Sequence, residues 1–461
     1  VNEGGFINVN GSLDLLADKR AEMSNKDGKL NVNAGGKLVN NGAINTNGIV
    51  VTINGAEKAG AEETQKSGGM YVADNSIFNG DLTLASPYED LTAAAKAEFS
   101  GANTISGKLD NTGVVTVKEG ASLKAGEFEN KGYVDVYGSI DSAVNGGHVT
   151  IKSSNAEIQA LTGADELEIG ASTAVSGLLA EKSDVKQVYV STGNTFDLDD
   201  DKLTISEVLN THGTTNLGTD YTVARAKVAG GGTLNLNSHV LTGNVDLWKD
   251  AGLAFNVDKT ASEGVEQAGG QIKGNLKLEQ SANLKPVVDM DAGNGTYQYV
   301  SGDVSVNEAE NPTLALVADN MVYDIALADD NKTLNISKKS SGEIAQNVVA
   351  AGGTVNNAAT VAAWLGGDTA KLNGASHAVA EHLNNLAQTN PQMATAAATA
   401  LAPETAAQVQ ANTHQQVNQL YSAVGTRLSG GSLASAVEGK SSGDGIFGRA
   451  AVWVQGLFKK S

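Results

Sequence analysis

A seven-residue pattern of apolar and polar positions recurs in the N-terminal part of the chain. An apolar residue is followed by Asn two positions on, Gly four positions on and an apolar β-branched residue six positions on, at 38–44, 109–115 and 128–134. The last two copies lie 19 residues apart. That spacing suits one coil of a right-handed parallel β-helix or a similar solenoid. Asn-x-Gly would turn a corner, because these residues adopt turn conformations that others avoid. We expect Asn side chains at equivalent corners to form a ladder between coils.

Between such corners, apolar and polar residues alternate as they do in half-buried strands. Clear examples are residues 114–117, 133–136 and 234–236, where the period of two predicts the walls of the coil. At about 20 residues a coil and about 4.8 Å between coils, residues 1–340 would form a rod roughly 80 Å long. We therefore predict an all-β fold with a solenoid over residues 1–284, in which each coil buries its apolar residues on its neighbours.

Two stretches interrupt the alternation. Residues 56–67 are polar and rich in alanine, and residues 88–99 have a composition that predicts a short helix. Both are interpreted as loops that leave the rod. Binding residues of solenoids often lie on such loops, although most loops are solvated insertions without a role of their own.

From residue 285 to 340 the predicted strands become longer and more regular. They cover 297–300, 313–317, 323–327 and 334–336, and Asp329-Asp330-Asn331 predicts a hairpin turn between the last two. A solenoid needs a cap, because its last coil would otherwise expose an apolar edge. Residues 285–340 are therefore predicted to form a C-terminal capping β region.

After Ser340 the apolar period changes from two to that of a helix. Residues 341–402 are rich in Ala and Asn and predict a helical linker divided at Pro391. A further helix is predicted over 403–431, begun by Pro403-Glu404 and ended by Gly430-Gly431. Its stretch 404–428 would be about 38 Å long, and Gln and Asn surround a thin apolar stripe on it. Such a surface suits a helix inside a water-lined barrel, or one packed in a bundle.

The chain ends on a strand pattern over residues 448–461. Val452, Val454 and Phe458 fall on one face, which we expect to be the membrane face of a barrel strand. A strand without a following partner leaves its backbone unpaired. Since no secretory signal precedes Asn2 either, we expect both ends to be truncated.

This C-terminal part resembles a known family. Residues 448–461 resemble the first strand of the translocator barrel of autotransporters (type V secretion), and residues 421–431 resemble the junction between pore helix and barrel. The resemblance implies an autochaperone-like cap at 285–340, a pore-threading helix at 403–431 and the start of a truncated outer-membrane barrel at 432–461. It also implies a passenger at the outer membrane and cell surface of a Gram-negative bacterium, retained there or secreted after cleavage.

Composition and charge agree with an exposed repetitive β protein. The 461 residues include 54 Gly and only 5 Pro, with 41% hydrophobic and 5% aromatic content, which suits many short strands and turns. A net charge of −20 argues against nucleic acid as a partner and keeps a long rod soluble. The absence of Cys excludes disulfides and thiolate chemistry, and suits a chain that crosses a pore unfolded.

Candidate chemistry is sparse. The acidic run 197–202 and the segment 289–295 offer oxygen ligands for Ca²⁺, but both lack the full spacing of a calcium loop and are interpreted as turns. His377 and His382 are five residues apart, one more than a helical zinc pair requires. Asn384-Asn385 corresponds in type to the pair at which some autotransporters cleave themselves, but it lies upstream of the predicted pore helix. No nucleophile elbow or phosphate loop occurs. We expect no catalytic residue, cofactor or metal, and no enzyme activity.

The predicted function is adhesion, autoaggregation or biofilm formation at the cell surface. The expected partners are ligands on host or bacterial cells, a further copy of the chain, and the outer membrane through the missing barrel. Two alternatives stay open. The chain would be an inert stalk for a missing N-terminal module, or a glycan-active β-helix enzyme, which needs clustered carboxylates and aromatic platforms.

Overall fold

Stacked parallel strands make up most of the molecule. The computed structural model describes residues 6–9, 12–14, 29–46, 50–57, 67–86, 91–258, 266–310, 312–317, 320–367 and 372–401. In chain order the strands are β1 Phe6–Val9, β2 Ser12–Asp14, β3 Lys29–Val32, β4 Lys37–Asn40, β5 Ala43–Asn45, β6 Val50–Asn54, β7 Met70–Asp74, β8 Ile77–Asn79, β9 Leu82–Ala85, β10 Lys96–Ser100, β11 Ala102–Asn111, β12 Val114–Val117, β13 Ser122–Asn130, β14 Tyr133–Val136, β15 Ser139–Asn145, β16 His148–Ile151, β17 Glu157–Thr162, β18 Ala164–Ile169, β19 Thr173–Ala174, β20 Ser183–Val190, β21 Thr195–Leu198, β22 Leu203–Thr211, β23 Thr214–Leu217, β24 Tyr221–Val228, β25 Thr233–Asn235, β26 Val240–Leu247, β27 Gly252–Val257, β28 Glu266–Lys273, β29 Leu276–Leu278, β30 Ala282–Val288, β31 Gly295–Val300, β32 Val304–Val306, β33 Leu314–Leu316, β34 Tyr323–Leu327 and β35 Thr333–Lys338.

These strands form three sheets that run along the molecule. Sheet 1 contains β1, β4, β7, β10, β12, β14, β16, β18, β20, β22, β24, β26, β28, β29, β31, β32, β34 and β35. Sheet 2 contains β2, β3, β5, β6, β8, β9, β11, β13, β15 and β17, and sheet 3 contains β19, β21, β23, β25, β27, β30 and β33. Up to β33 each strand pairs in parallel with the strand one coil away, as β12, β14 and β16 do. The fold is therefore mostly β and solenoid-like, as the sequence predicts.

Each coil has three straight segments. Register shifts bend β11, β13 and β15 in the middle, so that early coils place one segment in sheet 1 and two in sheet 2. From β20 onward the bend lies in the long sheet-1 strands, and sheet 3 supplies the third segment.

The core is a set of apolar columns rather than one cluster around a centre. One column stacks the inward residues of successive sheet-1 strands, all at most 1% exposed: Val115, Val134, Val149, Leu167, Val188, Leu209, Ala226, Val245 and Leu276. Burial alternates along 114–117 and 133–136, so the predicted walls are confirmed.

The Asn ladder exists at one corner. Asn111 and Asn130 are buried and paired in register, and Nδ2 of Asn111 donates to Oδ1 of Asn130 at 2.8 Å, across 19 residues of sequence. Both lie where sheet 2 turns into sheet 1. The prediction that Asn40 occupies an equivalent corner is wrong, because Asn40 turns the chain from sheet 1 into sheet 2. In all three copies of the motif the Gly N–H donates to the Asn side chain. This local bond fits a corner from sheet 1 into sheet 2 as well as one from sheet 2 into sheet 1.

Glycine is needed at these corners for space rather than for an unusual backbone angle. A Cβ on Gly113 would lie 2.1 Å from the carbonyl oxygen of Ala95, and one on Gly132 would lie 2.2 Å from that of Gly113. Each glycine thus lies directly against the backbone of the preceding coil.

The helix predicted over 88–99 is wrong for the residues that the structure describes there. Residues 91–95 form turns, and the following residues form β10, which pairs with β7 and β12. Ala95, Ala97 and Phe99 are buried in the columns, so burial overrides the helix propensity of the alanines. Residues 87–90 and 58–66 lie outside the described residues.

The last described coils end in antiparallel strands. β34 and β35 form the predicted hairpin, and β35 also pairs antiparallel with β31. Asn331 takes a left-handed conformation in the turn, with φ of 52°. Asp330 accepts hydrogen bonds from the backbone N–H groups of Lys332 and Thr333. Desolvation raises the pKa of Asp330, but these hydrogen bonds outweigh that effect and hold the pKa below its usual value. The hairpin breaks the parallel stack, which suits the predicted capping role.

Five helices complete the described fold: α1 Val175–Leu178, α2 Ser341–Ala350, α3 Val355–Leu365, α4 Gly374–Thr389 and α5 Pro391–Leu401. Ser340 and Glu343 form a capping box at α2, and Thr354 caps α3. The helices α2–α5 pack on one another, and α4 also contacts β30. Helical structure in this region follows the prediction, whereas its role as a linker stays a prediction.

The predicted pore helix 403–431 and the strand with Val452, Val454 and Phe458 lie outside the described residues. Among the helices that the structure does describe, none is both long and apolar enough to cross a membrane.

Candidate binding face

The acidic run 197–202 is spread over several separate contacts. Asp197 accepts from Nδ2 of Asn216 at 2.7 Å in the next coil, and Asp199 accepts from the N–H of Ser176 at 2.9 Å in the previous one. Asp200 accepts from the N–H of Lys202 and pairs with its ammonium at 3.3 Å. Each of these carboxylates binds a different partner, and together the bonds connect turns of neighbouring coils. The carboxylates do not converge on one point.

The segment 289–295 leads from β30 into the start of β31. Asp289 accepts from the N–H of Asp291 at 2.7 Å, and Asn294 accepts from the N–H of Lys338 in β35 at 2.8 Å. Burial, with a smaller effect of neighbouring carboxylates, raises the pKa of Asp289. Within the ranges given above, no group of three or more Asp, Glu or His side chains is placed to hold a metal ion.

The two histidines of α4 separate, as their spacing predicts. Nε2 of His377 lies 3.0 Å from Oδ2 of Asp291, and this hydrogen bond raises the pKa of the imidazole. His382 is exposed. His377 therefore fastens α4 to the solenoid.

Asn384 and Asn385 occupy different environments. Asn384 is 3% exposed, and its Nδ2 donates to the carbonyl oxygen of Val288 at 2.8 Å. Asn385 is exposed. The pair thus straddles the interface between α4 and β30, which a helical pattern alone does not reveal.

The outward face of sheet 1 carries two rows of side chains in register along the axis. One row contains Lys96, Val114, Tyr133, His148, Glu166, Gln187, Val208, Arg225 and Asn244, and the other contains Glu98, Thr116, Asp135, Thr150, Glu168, Tyr189, Asn210, Lys227, Asp246 and Lys277. We call this surface the sheet-1 face.

Charges of both signs lie along the sheet-1 face. Lys118 pairs with Glu98 at 2.7 Å, Arg225 pairs with the buried carboxylate of Asp246, and Lys152 lies 3.9 Å from Asp135. Burial raises the pKa of Asp135, with a further contribution from the charge of Glu168, while Lys152 opposes the shift. The face is therefore polar and mixed in charge.

Ring contacts between coils distinguish the sheet-1 face. Tyr133 stacks on His148, with 5.0 Å between ring centroids, and Tyr189 packs on His212 at the same distance. The Nζ of Lys227 lies 4.8 Å from the centroid of Trp248. Sequence reasoning missed these pairs because the coil offset varies: it is 16 residues between Glu129 and Asn145 but 21 between Asp165 and Lys186.

Comparison with protein-family models, with characterised proteins and with solved structures gives no match to this chain. The functional proposal therefore rests on the sequence and the fold.

Proposed function

We propose that the chain is the passenger of an autotransporter, displayed at the outer membrane and cell surface of a Gram-negative bacterium. In this proposal the β-helix is right-handed, residues 285–340 form the autochaperone-like cap, and 403–431 thread a barrel that begins at 432–461. The absence of Cys and the Gln- and Asn-rich surface of the proposed pore helix support export through a narrow pore.

The passenger acts as an adhesin in adhesion, autoaggregation or biofilm formation. The observation that carries this proposal is the pair of outward rows that stay in register from Lys96 to Asn244 and Lys277. Such a surface presents outward side chains at every coil, and many weak contacts in series bind a multivalent cell surface strongly. Ligands on host or bacterial cells, or the same face of another copy, are the partners.

Display in a Gram-negative host tests this function. Residues 1–461 are fused in frame to a complete outer-membrane barrel, and the barrel alone serves as the control. Settling of the culture and attachment to cultured epithelial cells are measured. We expect the fusion to accelerate settling or to increase attachment. Cells that display the folded chain and neither settle faster nor attach would favour the inert stalk.

A further inference from the structure

Over residues 91–258, solvent-facing rings are concentrated on one side of the solenoid. In residues 91–258, the aromatic and histidine side chains that reach the surface belong to sheet-1 strands or to the turn directly after one, with His239 as the exception: Tyr133, Tyr137, His148, Tyr189, His212 and Trp248. Other outward faces of these coils carry Thr, Asn, Asp, Lys and Glu. Aromatic side chains concentrated on one polar face are typical of a binding surface.

Four side chains form a continuous row across consecutive coils. Tyr189 packs on His212, Lys227 is in register with Asn210 two residues before His212, and Nζ of Lys227 lies over the ring of Trp248. We call Tyr189, His212, Lys227 and Trp248 the ring row. Burial, followed by the charge of Lys227, lowers the pKa of His212 and so favours the neutral imidazole. The row crosses three coil spacings, about 14 Å.

Trp248 offers carbon, and no polar atom, to the solvent. Its side chain is partly exposed, yet its Nε1 is buried and donates to no described residue. A buried donor without a partner is unfavourable. This orientation buries the only heteroatom of the ring, so that the part of the ring in contact with solvent is carbon.

Hydrogen-bonding groups lie beside the rings. Asn210 lies between Tyr189 and Lys227 in register and is partly exposed, although its Oδ1 is buried and accepts from no described residue. Ser191 donates to Glu168 at 2.9 Å next to Tyr189, and Gln187 is exposed. Flat carbon surfaces bordered by amide, hydroxyl and carboxylate groups match a pyranose, which has an apolar C–H face and an equatorial rim of hydroxyls.

We propose that the ring row binds a neutral polysaccharide whose chain lies along the solenoid axis. Coil spacing is similar to the length of one pyranose, so the row would contact about three sugar units. Around the ring row, the carboxylates of Glu166, Glu168 and Asp246 outnumber the cations of Lys227 and Arg225, and this balance disfavours an anionic glycan. This inference rests on the proposed function of a binding rod, and names its ligand; it does not depend on export.

Binding is measured on the purified full chain by affinity electrophoresis. The neutral probes are hydroxyethylcellulose, laminarin, mannan and dextran, and the anionic probes are chondroitin sulfate and polygalacturonate. We expect at least one neutral polymer to retard the protein, and Trp248→Ala or Tyr189→Ala to weaken that retardation about tenfold. Trp248→Phe keeps a ring and should retain most of the binding. His239→Ala removes the ring that lies off the face and should change nothing.

Three results would overturn the inference: no retardation by any neutral probe, retardation by anionic probes alone, or retardation that survives both alanine substitutions. Circular dichroism checks that the variants are folded, and sedimentation velocity identifies a ring row that joins two copies instead.

Display on cells distinguishes the ring-row proposal from the proposed adhesive function. If cells displaying Trp248→Ala clump like wild type and the purified chain binds no glycan, the ring-row proposal is wrong while the adhesive function stands. If the purified chain binds a glycan but displayed cells neither clump nor attach, the adhesive function fails alone.

Discussion

At the scale of single residues, two features hold neighbouring coils in register: the buried amide of Asn130 and the bare backbone of Gly132. Asn130 accepts from the N–H of Gly132 and from Asn111, and donates to the carbonyl oxygens of Gly146 and His148. One side chain therefore satisfies groups in three successive coils. Polar groups buried in a solenoid need such partners, because water cannot reach them.

Asn130→Ala should lower the free energy of unfolding by about 2 kcal/mol, because it removes four hydrogen bonds that are buried or partly buried. Urea unfolding followed by circular dichroism measures the loss. Asn155→Ala, at an exposed turn position, is the matched control and should stay within about 0.5 kcal/mol of wild type. Equal stability of the two variants would show that the ladder contributes nothing.

Gly132→Ala should destabilise the protein by about 3 kcal/mol, since its Cβ would meet the carbonyl oxygen of Gly113 at 2.2 Å and the coils would have to separate. In contrast, Gly177→Ala places a methyl group in open space on α1 and should be neutral or slightly stabilising. Thermal melts of both variants provide the comparison. A Gly132→Ala melt that coincides with wild type would contradict the close approach of the coils.

At the scale of elements, α4 covers an open sheet edge. β33 pairs only with the first part of β30, so Val288 lies beyond the end of its neighbour. Gln388 takes the place of a strand there: its Oε1 accepts from the N–H of Val288 at 2.8 Å, and its Nε2 donates to the carbonyl oxygen at 2.7 Å. An edge covered in this way cannot recruit another strand.

Gln388→Ala should raise the hydrogen-exchange rate of the Val288 amide about tenfold, because the amide loses its partner and α4 loses an anchor. Mass-spectrometric exchange on fragments that contain β30 measures this change. Asn385→Ala alters an exposed position on the same helix and should leave the rate unchanged. An unchanged exchange rate of the Val288 amide in Gln388→Ala would show that α4 does not cover this sheet edge.

The contact between His377 and Asp291 should make this docking depend on pH. A histidine pKa raised by folding adds stability that is complete below the unfolded value, 6.5, and is lost as the pH rises through the folded value. The difference in unfolding free energy between wild type and His377→Gln should therefore favour wild type at about pH 5.5 and disappear by about pH 8.5. His382→Gln, at the exposed histidine of the same helix, is the control. A difference that grows with pH would have the wrong sign for this contact.

Local sequence patterns predicted where strands lie, but they did not predict which strands and side chains of other coils contact them. Alternation in 114–117 and the turn residues Asp330 and Asn331 gave elements that the structure contains, because they depend on nearby residues. The helix predicted at 88–99 failed because Ala97 is buried by two strands distant in sequence. Coil lengths vary, so sequence spacing did not reveal which outward side chains meet in the ring row.

At the scale of the whole molecule, side chains are distributed unevenly around the solenoid, and this unevenness distinguishes one face as the proposed binding surface. Rings project from the sheet-1 face, apolar columns fill the interior, and the antiparallel hairpin and four helices lie at one end of the stack. Outside the ring row, the sheet-1 face offers many separate contacts, so single substitutions there should each lower the adhesive activity only slightly.

The most direct test of surface display uses the absence of cysteine from the chain. A barrel lacking its own pore helix is fused after Ser461, so that export relies on residues 403–431. Single substitutions Asn155→Cys, at an exposed turn, and Leu167→Cys, in the buried column, are then treated on intact cells with a membrane-impermeant maleimide. We expect rapid labelling of Asn155→Cys and labelling of Leu167→Cys only in denaturant. After deletion of residues 403–431, intact cells should not be labelled. Labelling of Asn155→Cys only after the cells are lysed would contradict surface display.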